Sequence, residues 1–391
     1  MQLTVTEKNG SAIQRAIDEV HTSGGGRVIL ENGIYQSGTI YLKSNVELNV
    51  PAGAVIQGYD DYTKYDDFAH PDYPVTPENS RKALIVACNA ENIAITGKGE
   101  INGQGPAFYD TDVPPGRFFN RPSTPRPRLI QMFGCKNVTL TDINLIDSPG
   151  WTMWMVNCSY VHISRIRIEG CQQMMNNDGF DMDACSHITI SDSFFKTGDD
   201  CLVLRAIRRK KEEPAICEYV TVTNCLLDSP CQGIRLGCPS DDTIRHCRFS
   251  DITFNGRGTA ILSQHPPRYL RKDDTGYADI HDISFNNFDI QANGFAIYLK
   301  CMEGINIRGI SKMSFSNFRI KSRQPILIEG HADAVFSDIT LNNISGTVAD
   351  ESPLIIKFCR NVKINNVDLT AETGTSVPPV PPSGDSWETQ F

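Results

Sequence analysis

The chain has 391 residues, of which 40% are hydrophobic and 21% charged, so it can bury a large core. Its formal net charge is -9 and its basic residues form one short run, RRKK at 208–211, which argues against a nucleic-acid partner. No apolar stretch approaches the roughly 20 residues that span a bilayer, and the start MQLTVTEKNG lacks a secretory signal. We therefore expect no nucleic-acid partner, no membrane partner and a cytoplasmic location, or a secreted or periplasmic one if a leader was removed.

The first predicted element is a short helix over residues 11–22 that caps the fold. Ser11 can accept a hydrogen bond from the first free backbone N–H groups. The apolar residues that follow recur at the spacing of one helix face, namely Ala12, Ile13, Ala16, Ile17 and Val20. The sequence SGGG at 23–26 then ends the helix.

Beyond the helix, short alternating stretches separated by Gly, Asn, Asp and Pro predict β-strands. A related sequence pattern recurs in CKNVTLTDINLIDSP, CSYVHISRIRIEGC, CSHITISDSFFKTG, CEYVTVTNCLLDSP and CRNVKINNVDLTAE. The steps from Cys135 to Cys158, Cys185 and Cys217 are 23, 27 and 32 residues. A repeat of this size predicts a solenoid, because each coil buries its face against its neighbours.

This repeat predicts an all-β fold, a single-domain right-handed parallel β-helix over residues 1–375, with an antiparallel sandwich as the alternative. Residues 376–391 form a Pro-rich tail. Recurring Cys, Asn and Ser would form ladders one strand spacing apart, which is a structural role. The thirteen Cys are an odd number without metal-type CxxC spacing, so we expect mostly reduced, buried thiols.

The stretch NNDGFDMDACSHITISDSFFKTGDDC, residues 176–201, contains the candidate catalytic residues. Asp178 and Asp199 are 21 residues apart, about one coil, so we expect them on neighbouring strands with Asp200 beside them. Carboxylates roughly 4.8 Å apart repel when all are ionised, which favours one proton donor beside an ionised base. Glycoside hydrolysis uses such a pair. The alternatives are that NDG and GDD only form turns, or that these residues bind Ca²⁺ in a polysaccharide lyase.

At these residues the chain resembles glycoside hydrolase family 28, the polygalacturonase-like enzymes, from about residue 8 to residue 260. Several motifs occur in order: the stretch AIQRAIDEVHTSGGGRVILENGIYQSG, then RPRLIQMFGCKNVTL, DSPGW, NNDGFD for Asn-x-Asp-Gly and TGDDC for Gly-Asp-Asp. The resemblance implies an inverting hydrolase on a right-handed β-helix, with Asp199 as general acid and Asp178 and Asp200 positioning and deprotonating the attacking water. It implies no metal and no cofactor, and it includes Asn176 in the substrate-binding set.

Three motifs depart from the family pattern. The Gly-His-Gly motif, which supports the acid in the family, reads CQG at 231–233, and Arg-Ile-Lys reads AIL at 260–262. A His that is common after Ser-Pro-x-Trp appears as Trp154. Gln232 can still form hydrogen bonds with a substrate but carries no charge. Because the missing Arg and Lys would hold a galacturonate carboxylate, we expect polygalacturonate to be a poor substrate.

Strand alternation suggests a partial replacement for these cations. Stacking of GFDMD, CLVLR, GIRLG and TAIL would form two outward columns: Asp181, Val203, Arg235 and Ala260 in one, and Asp183, Arg205, Gly237 and Leu262 in the next. Arg235 and Arg205 could then bind an acidic or hydroxyl-rich sugar, together with Asp181. A salt bridge from either Arg to Asp181 or Asp183 is the alternative.

Trp151 and Trp154 could form a sugar-stacking wall, with packing under a loop as the alternative, which is favoured for Trp151. His265 is a further substrate-binding candidate. The sequence thus predicts an inverting glycoside hydrolase that cleaves a pectin-like oligosaccharide containing galacturonate or rhamnose. Segments 65–83 and 109–128 could close one end of the groove, which predicts exo action. A calcium-dependent polysaccharide lyase and a non-catalytic carbohydrate-binding β-helix are the competing functions.

Overall fold

The computed structural model describes residues 1–68, 80–110, 121–122, 125–209, 213–237, 240–264, 277–301 and 307–372. The chain divides into two compact units, Met1–Asp199 and Asp200–Phe391. The predicted tail at 376–391 lies outside the described residues, and the assignment of one domain to residues 1–375 stays a prediction.

Among its described residues, the first unit contains helix α1 (Gly10–Thr22), two 3₁₀ segments (Tyr62–Lys64 and Gly105–Phe108) and short strands. The strands are β1 (Gln2–Val5), β2 (Gly26–Leu30), β3 (Gly33–Ser37), β4 (Ile40–Leu42), β5 (Val46–Asn49), β6 (Ala54–Gly58), β7 (Ala83–Cys88), β8 (Glu91–Thr96), β9 (Glu100–Asn102), β10 (Tyr109–Asp110), β11 (Arg121–Pro122), β12 (Arg128–Phe133), β13 (Lys136–Thr141), β14 (Asn144–Ile146), β15 (Met153–Val156), β16 (Ser159–Ser164), β17 (Arg167–Glu169), β18 (Phe180–Asp183), β19 (Ser186–Ser191) and β20 (Phe194–Lys196).

The coil strands of the first unit repeat in sets of three, and each is parallel to its equivalent in the next coil, whereas β10 and β11 form a separate antiparallel pair. Val138 of β13 faces Val161 of β16, which faces Ile188 of β19. Since side chains alternate across a strand, these aliphatic residues are buried while Thr139 and Thr141 lie on the outer side. The register therefore follows the recurring phrase that predicted the coils.

The second unit alternates short and long strands. They are β21 (Leu202–Arg205), β22 (Ile216–Asp228), β23 (Gln232–Leu236), β24 (Thr243–Gly256), β25 (Thr259–Gln264), β26 (Asp279–Phe295), β27 (Ile297–Lys300), β28 (Gly309–Gln324), β29 (Ile326–Glu329), β30 (Phe336–Val348), β31 (Leu354–Lys357) and β32 (Cys359–Ala371). The long strands pair with one another in parallel, and so do the short ones. The predicted all-β class and right-handed parallel β-helix are confirmed.

Identical side chains form ladders along the coils; the repeat predicted the asparagine ladder but not the phenylalanine one. In the first unit Asn92 donates to Asn45 at 2.9 Å, and Asn137 donates to Asn92 at 3.0 Å. In the second unit the buried Phe285 ring stacks between Phe249 and Phe315, with ring centroids 5.0 Å away on each side. Asparagine at the turns satisfies neighbouring amides, while phenylalanine fills the interior.

The described cysteines are free thiols. In the first unit Cys135, Cys158 and Cys185 are buried at equivalent turns, where each sulfur lies within hydrogen-bonding distance of backbone carbonyl oxygens. Burial raises the pKa of the Cys158 thiol well above its ordinary value, so this residue stays protonated and packs as a small apolar side chain.

Helix α1 buries the five apolar residues that the spacing predicted. Its start differs from the prediction, because the cap is Asn9 and not Ser11: Asn9 has extended backbone angles, and its side-chain oxygen accepts the Ala12 N–H at 2.9 Å. Gly24 and Gly25, with φ of +96° and +118°, turn the chain away at the other end. No helix among the described residues is long and apolar enough to cross a membrane.

Replacing Asn9 with Ala is expected to lower the free energy of unfolding by about 1 kcal/mol, because the Ala12 N–H loses its side-chain acceptor. Urea denaturation of the whole chain measures the change. Asn9→Asp is the matched control, since aspartate also caps helices and should remain close to wild type. Equal stability of Asn9→Ala and wild type would contradict the assignment of the cap.

Candidate active site

The first unit positions Asp178 and Asp199 on neighbouring coils. Asp178 lies in the turn between β17 and β18, and its backbone carbonyl accepts the Thr152 N–H at 2.8 Å. Asp199 follows β20, where the Thr197 hydroxyl donates to its backbone carbonyl at 2.6 Å. Asp178 is buried at 3% exposure, while Asp199 is partly exposed.

Hydrogen bonds connect the turn that carries Asp178 directly to Asp199. The backbone N–H of Asn176 donates to Oδ2 of Asp199 at 2.9 Å. In return, the backbone N–H of Asp199 donates to the carbonyl oxygen of Asn177 at 3.3 Å. The Asp199 carboxylate is therefore oriented by the preceding coil, which is a requirement for a group that transfers a proton in a fixed direction.

Two residues that support this turn were missed in the sequence. Asn177 is buried and donates its side-chain amide to the carbonyl of Ser148 at 2.6 Å. Arg126 donates to the carbonyl oxygens of Pro149 and Met175, and to Oδ1 of Asn176 at 2.9 Å. The doubled Asn in NNDG is a local signal for Asn177, whereas Arg126 is 50 residues from Asn176 and has no such signal.

The side chain of Asn176 thus supports the turn through Arg126, and the predicted contact of Asn176 with substrate stays a prediction.

Trp154 does not form the expected sugar-stacking wall, because its ring is fully buried. It packs edge-on against Phe133 and Trp151, with centroid distances of 5.2 and 5.9 Å, and the Arg128 guanidinium lies 4.6 Å from its ring centre. Both tryptophans are buried in one hydrophobic cluster with Phe133 and Val156. Opposite Trp154 in the next coil lies Asp181, also fully buried, so its predicted role in binding substrate stays a prediction.

Asp200 begins the second unit and is paired with Arg235. Nη1 of Arg235 donates to Oδ2 of Asp200 at 2.8 Å, and the two side chains are 11% and 1% exposed. This ion pair between Arg235 and Asp200 was not predicted from the sequence, and the alternative of a salt bridge from Arg235 to Asp181 or Asp183 stays a prediction. A charged hydrogen bond at this depth is shielded from water and so is stronger than a surface pair.

The register of the short strands corrects one predicted column. Arg235 faces Val203 on one side, as predicted, but Leu262 on the other, and not Ala260. The strand after Arg235 is shifted by two residues relative to the prediction. Two of the three positions in this column are therefore apolar.

Gln232 and Arg205 are both buried in the second unit. The Gln232 side-chain amide donates to the sulfur of Cys231 at 3.3 Å, and its backbone carbonyl accepts the Cys201 N–H at 2.8 Å. Arg205 ends β21 on the face opposite the core residue Leu204. Their predicted contacts with substrate stay predictions, and His265 lies outside the described residues.

Carboxylates at this site could also supply oxygen ligands to a cation. In the second unit, however, a carboxylate oxygen of Asp200 and the sulfur of Cys231 lie within 4.8 Å. Calcium prefers six to eight oxygen ligands, and a thiolate suits softer metals. The residues around Asp200 thus fit a calcium site poorly.

Comparison with known proteins finds similarity to polygalacturonases. The model of glycosyl hydrolases family 28 matches residues 64–224. A probable polygalacturonase of Arabidopsis thaliana is 32% identical over 122 residues, which cover 31% of this chain and 24% of that protein. An endo-polygalacturonase of Pectobacterium carotovorum subsp. carotovorum is 22% identical over 347 residues, covering 80% of this chain and 84% of the relative.

Among solved structures, a hyperthermoactive exopolygalacturonase from Thermotoga maritima superposes with a TM-score of 0.71. The match covers 93% of this chain and 92% of that one at 22% identity. This likeness supports the β-helix fold of the chain.

Proposed function

We propose that this chain is a member of glycosyl hydrolases family 28, whose model matches residues 64–224, and that it is an inverting glycoside hydrolase that cleaves a pectin-like saccharide. The observation that carries the proposal is the pair of hydrogen bonds between the Asn176–Asn177 backbone and Asp199, since they orient a partly exposed carboxylate. A structural turn would satisfy its own backbone without directing an acid toward solvent. The arrangement instead suits a proton donor.

In the proposed reaction Asp199 gives its proton to the glycosidic oxygen as the bond from that oxygen to the anomeric carbon breaks. Because the Asn176 N–H occupies Oδ2, we assign the transferred proton to Oδ1. Asp178 and Asp200 hold a water molecule and accept one of its protons while its oxygen attacks the anomeric carbon. Attack from the side opposite the leaving group inverts the configuration.

The proposed substrate is an oligosaccharide containing galacturonate or rhamnose, and the proposed mode is exo. The relatives named above include an endo-acting and an exo-acting polygalacturonase, so the family alone supports a pectic substrate of either mode. Ala260 and Leu262 stand where the family pattern has cations, and both are buried and uncharged. Polygalacturonate is therefore proposed to be a poor substrate, and the segments expected to favour exo action lie partly outside the described residues.

We expect the first-formed product to have the opposite anomeric configuration to the bond cleaved. A panel of pectic oligosaccharides is screened for released reducing sugar, and proton NMR of the best substrate then follows the product anomers before mutarotation. Retention of configuration would remove Asp178 and Asp200 from the role of water-activating pair. Products that absorb in the ultraviolet, with activity lost to a chelator, would identify the calcium-dependent lyase instead, and release of no sugar would favour a carbohydrate-binding β-helix.

A further inference from the structure

In the second unit the charged side chain of Arg235 contacts Asp200. Its Nη1 donates to Oδ2 of Asp200 at 2.8 Å, and the guanidinium is nearly as buried as the carboxylate. Strand β23 sends Ile234 and Leu236 into the core, so alternation turns Arg235 to the opposite face. The strand thus positions the Arg235 guanidinium next to Asp200, a carboxylate that the proposed mechanism uses.

Neighbours of Arg235 in its column favour this pairing. Val203 and Leu262 lie directly opposite it in the adjacent coils, and both are buried and apolar. A guanidinium between apolar side chains requires a counter-charge, because burying a lone cation is costly. Asp200 supplies that charge.

We propose that Arg235 is a positioning residue that orients Asp200 for its work on the attacking water, and that it does not serve as the anchor for a substrate carboxylate. This inference rests on the proposed function. A guanidinium is a planar, rigid donor, so its bond to Oδ2 sets the plane of the carboxylate and the direction of Oδ1. Orientation matters because a misplacement of about 1 Å at a reacting group can lower the rate about a hundredfold.

The altered Gly-His-Gly motif explains why a new cation is useful here. Gln232, at the position of the family's His, is neutral and donates to the Cys231 sulfur at 3.3 Å. Arg235, three residues further along the same strand, supplies a positive charge in contact with Asp200. In this chain, the side chain that supports the catalytic carboxylates thus lies further along β23 than the family's His.

This pairing also affects the choice of substrate. A sugar carboxylate that recruited Arg235 would draw it away from Asp200 and leave a buried carboxylate without its observed cation, which is strongly destabilising. Arg235 should therefore contribute equally to the cleavage of acidic and neutral substrates. The earlier expectation that Arg235 binds an acidic sugar predicts unequal effects.

The test compares wild type, Arg235→Met and Arg235→Lys on an oligogalacturonate and on its methyl ester, in which the carboxylates are neutral. Loss of the guanidinium in Arg235→Met should lower kcat about a hundredfold on both substrates with KM little changed, while Arg235→Lys recovers part of the loss. A rise in KM confined to the acidic substrate, or a wild-type kcat in Arg235→Met, would overturn the proposal.

Arg245→Ala is the matched control, because it removes another Arg–carboxylate contact of the same unit, the 2.7 Å pair with Glu218, and should leave turnover unchanged. A crystal structure of Arg235→Met gives a second readout, in which the Asp200 carboxylate should be rotated or disordered. An unchanged Asp200 refutes the positioning role even if no sugar is released, whereas release of no sugar by wild type refutes the proposed function alone. If Arg235→Met does not fold, the double variant that combines Arg235→Met with Asp200→Asn removes both charges of the pair. Its kcat is then compared with the kcat of Asp200→Asn alone. A folded double variant with the higher kcat would overturn the inference.

Discussion

Replacing Asp199 with Asn should lower kcat at least about a thousandfold while the chain folds normally, since a positioned general acid contributes about 10²–10⁴-fold. Asparagine has nearly the same shape and its carbonyl oxygen can still accept the Asn176 N–H, but it has no proton to give. A thousandfold loss corresponds to about 4 kcal/mol of transition-state stabilisation. Steady-state kinetics on the best pectic substrate measure the loss of kcat, and circular dichroism tests whether the variant folds.

Asp192→Asn is the control for this substitution. Asp192 lies between β19 and β20 in the same unit, is exposed, and has a positive φ that asparagine tolerates well. Its turnover should equal that of wild type. If Asp199→Asn turned over as fast as Asp192→Asn, Asp199 would not be the general acid.

Replacing Phe285 with Ala should lower the free energy of unfolding by about 3–5 kcal/mol, because it removes a fully buried ring from the middle of a stack. Each face of this ring packs against another phenylalanine, with centroids 5.0 Å away, so the resulting cavity has rings on both sides. A rigid sheet above and below limits how far the cavity can collapse. Denaturant unfolding followed by circular dichroism measures the loss.

Leu226→Ala serves as the comparison, since Leu226 lies in the same unit on β22 and is 50% exposed. The free energy of unfolding of Leu226→Ala should stay within about 0.5 kcal/mol of the wild-type value. Similar losses in the two variants would show that the phenylalanine stack is not a main source of stability.

Local patterns in the chain account for much of the fold and for part of the candidate site. Alternation within each strand and the recurring Cys-x-x-V-x-I phrase predicted the coils, and the register of Val138, Val161 and Ile188 follows them. The one-coil spacing likewise placed the turn of Asp178 beside Asp199. These features could be predicted because they depend on side-chain periodicity and turn chemistry over a few residues.

The tertiary structure decided the features that depend on which residues of neighbouring coils lie opposite each other. Arg235 faces Leu262 and not Ala260, and a shift of two residues leaves the alternation of inward and outward side chains unchanged, so the pattern could not distinguish the two registers. Trp154 is buried because Phe133 and Arg128 pack on it from a preceding coil, and the contact of Arg235 with Asp200 spans 35 residues. The sequence by itself therefore determined the coil and the catalytic aspartates that it carries. Contacts between coils decided which side chains pair with those aspartates, because turn lengths and packing set the register of the strands.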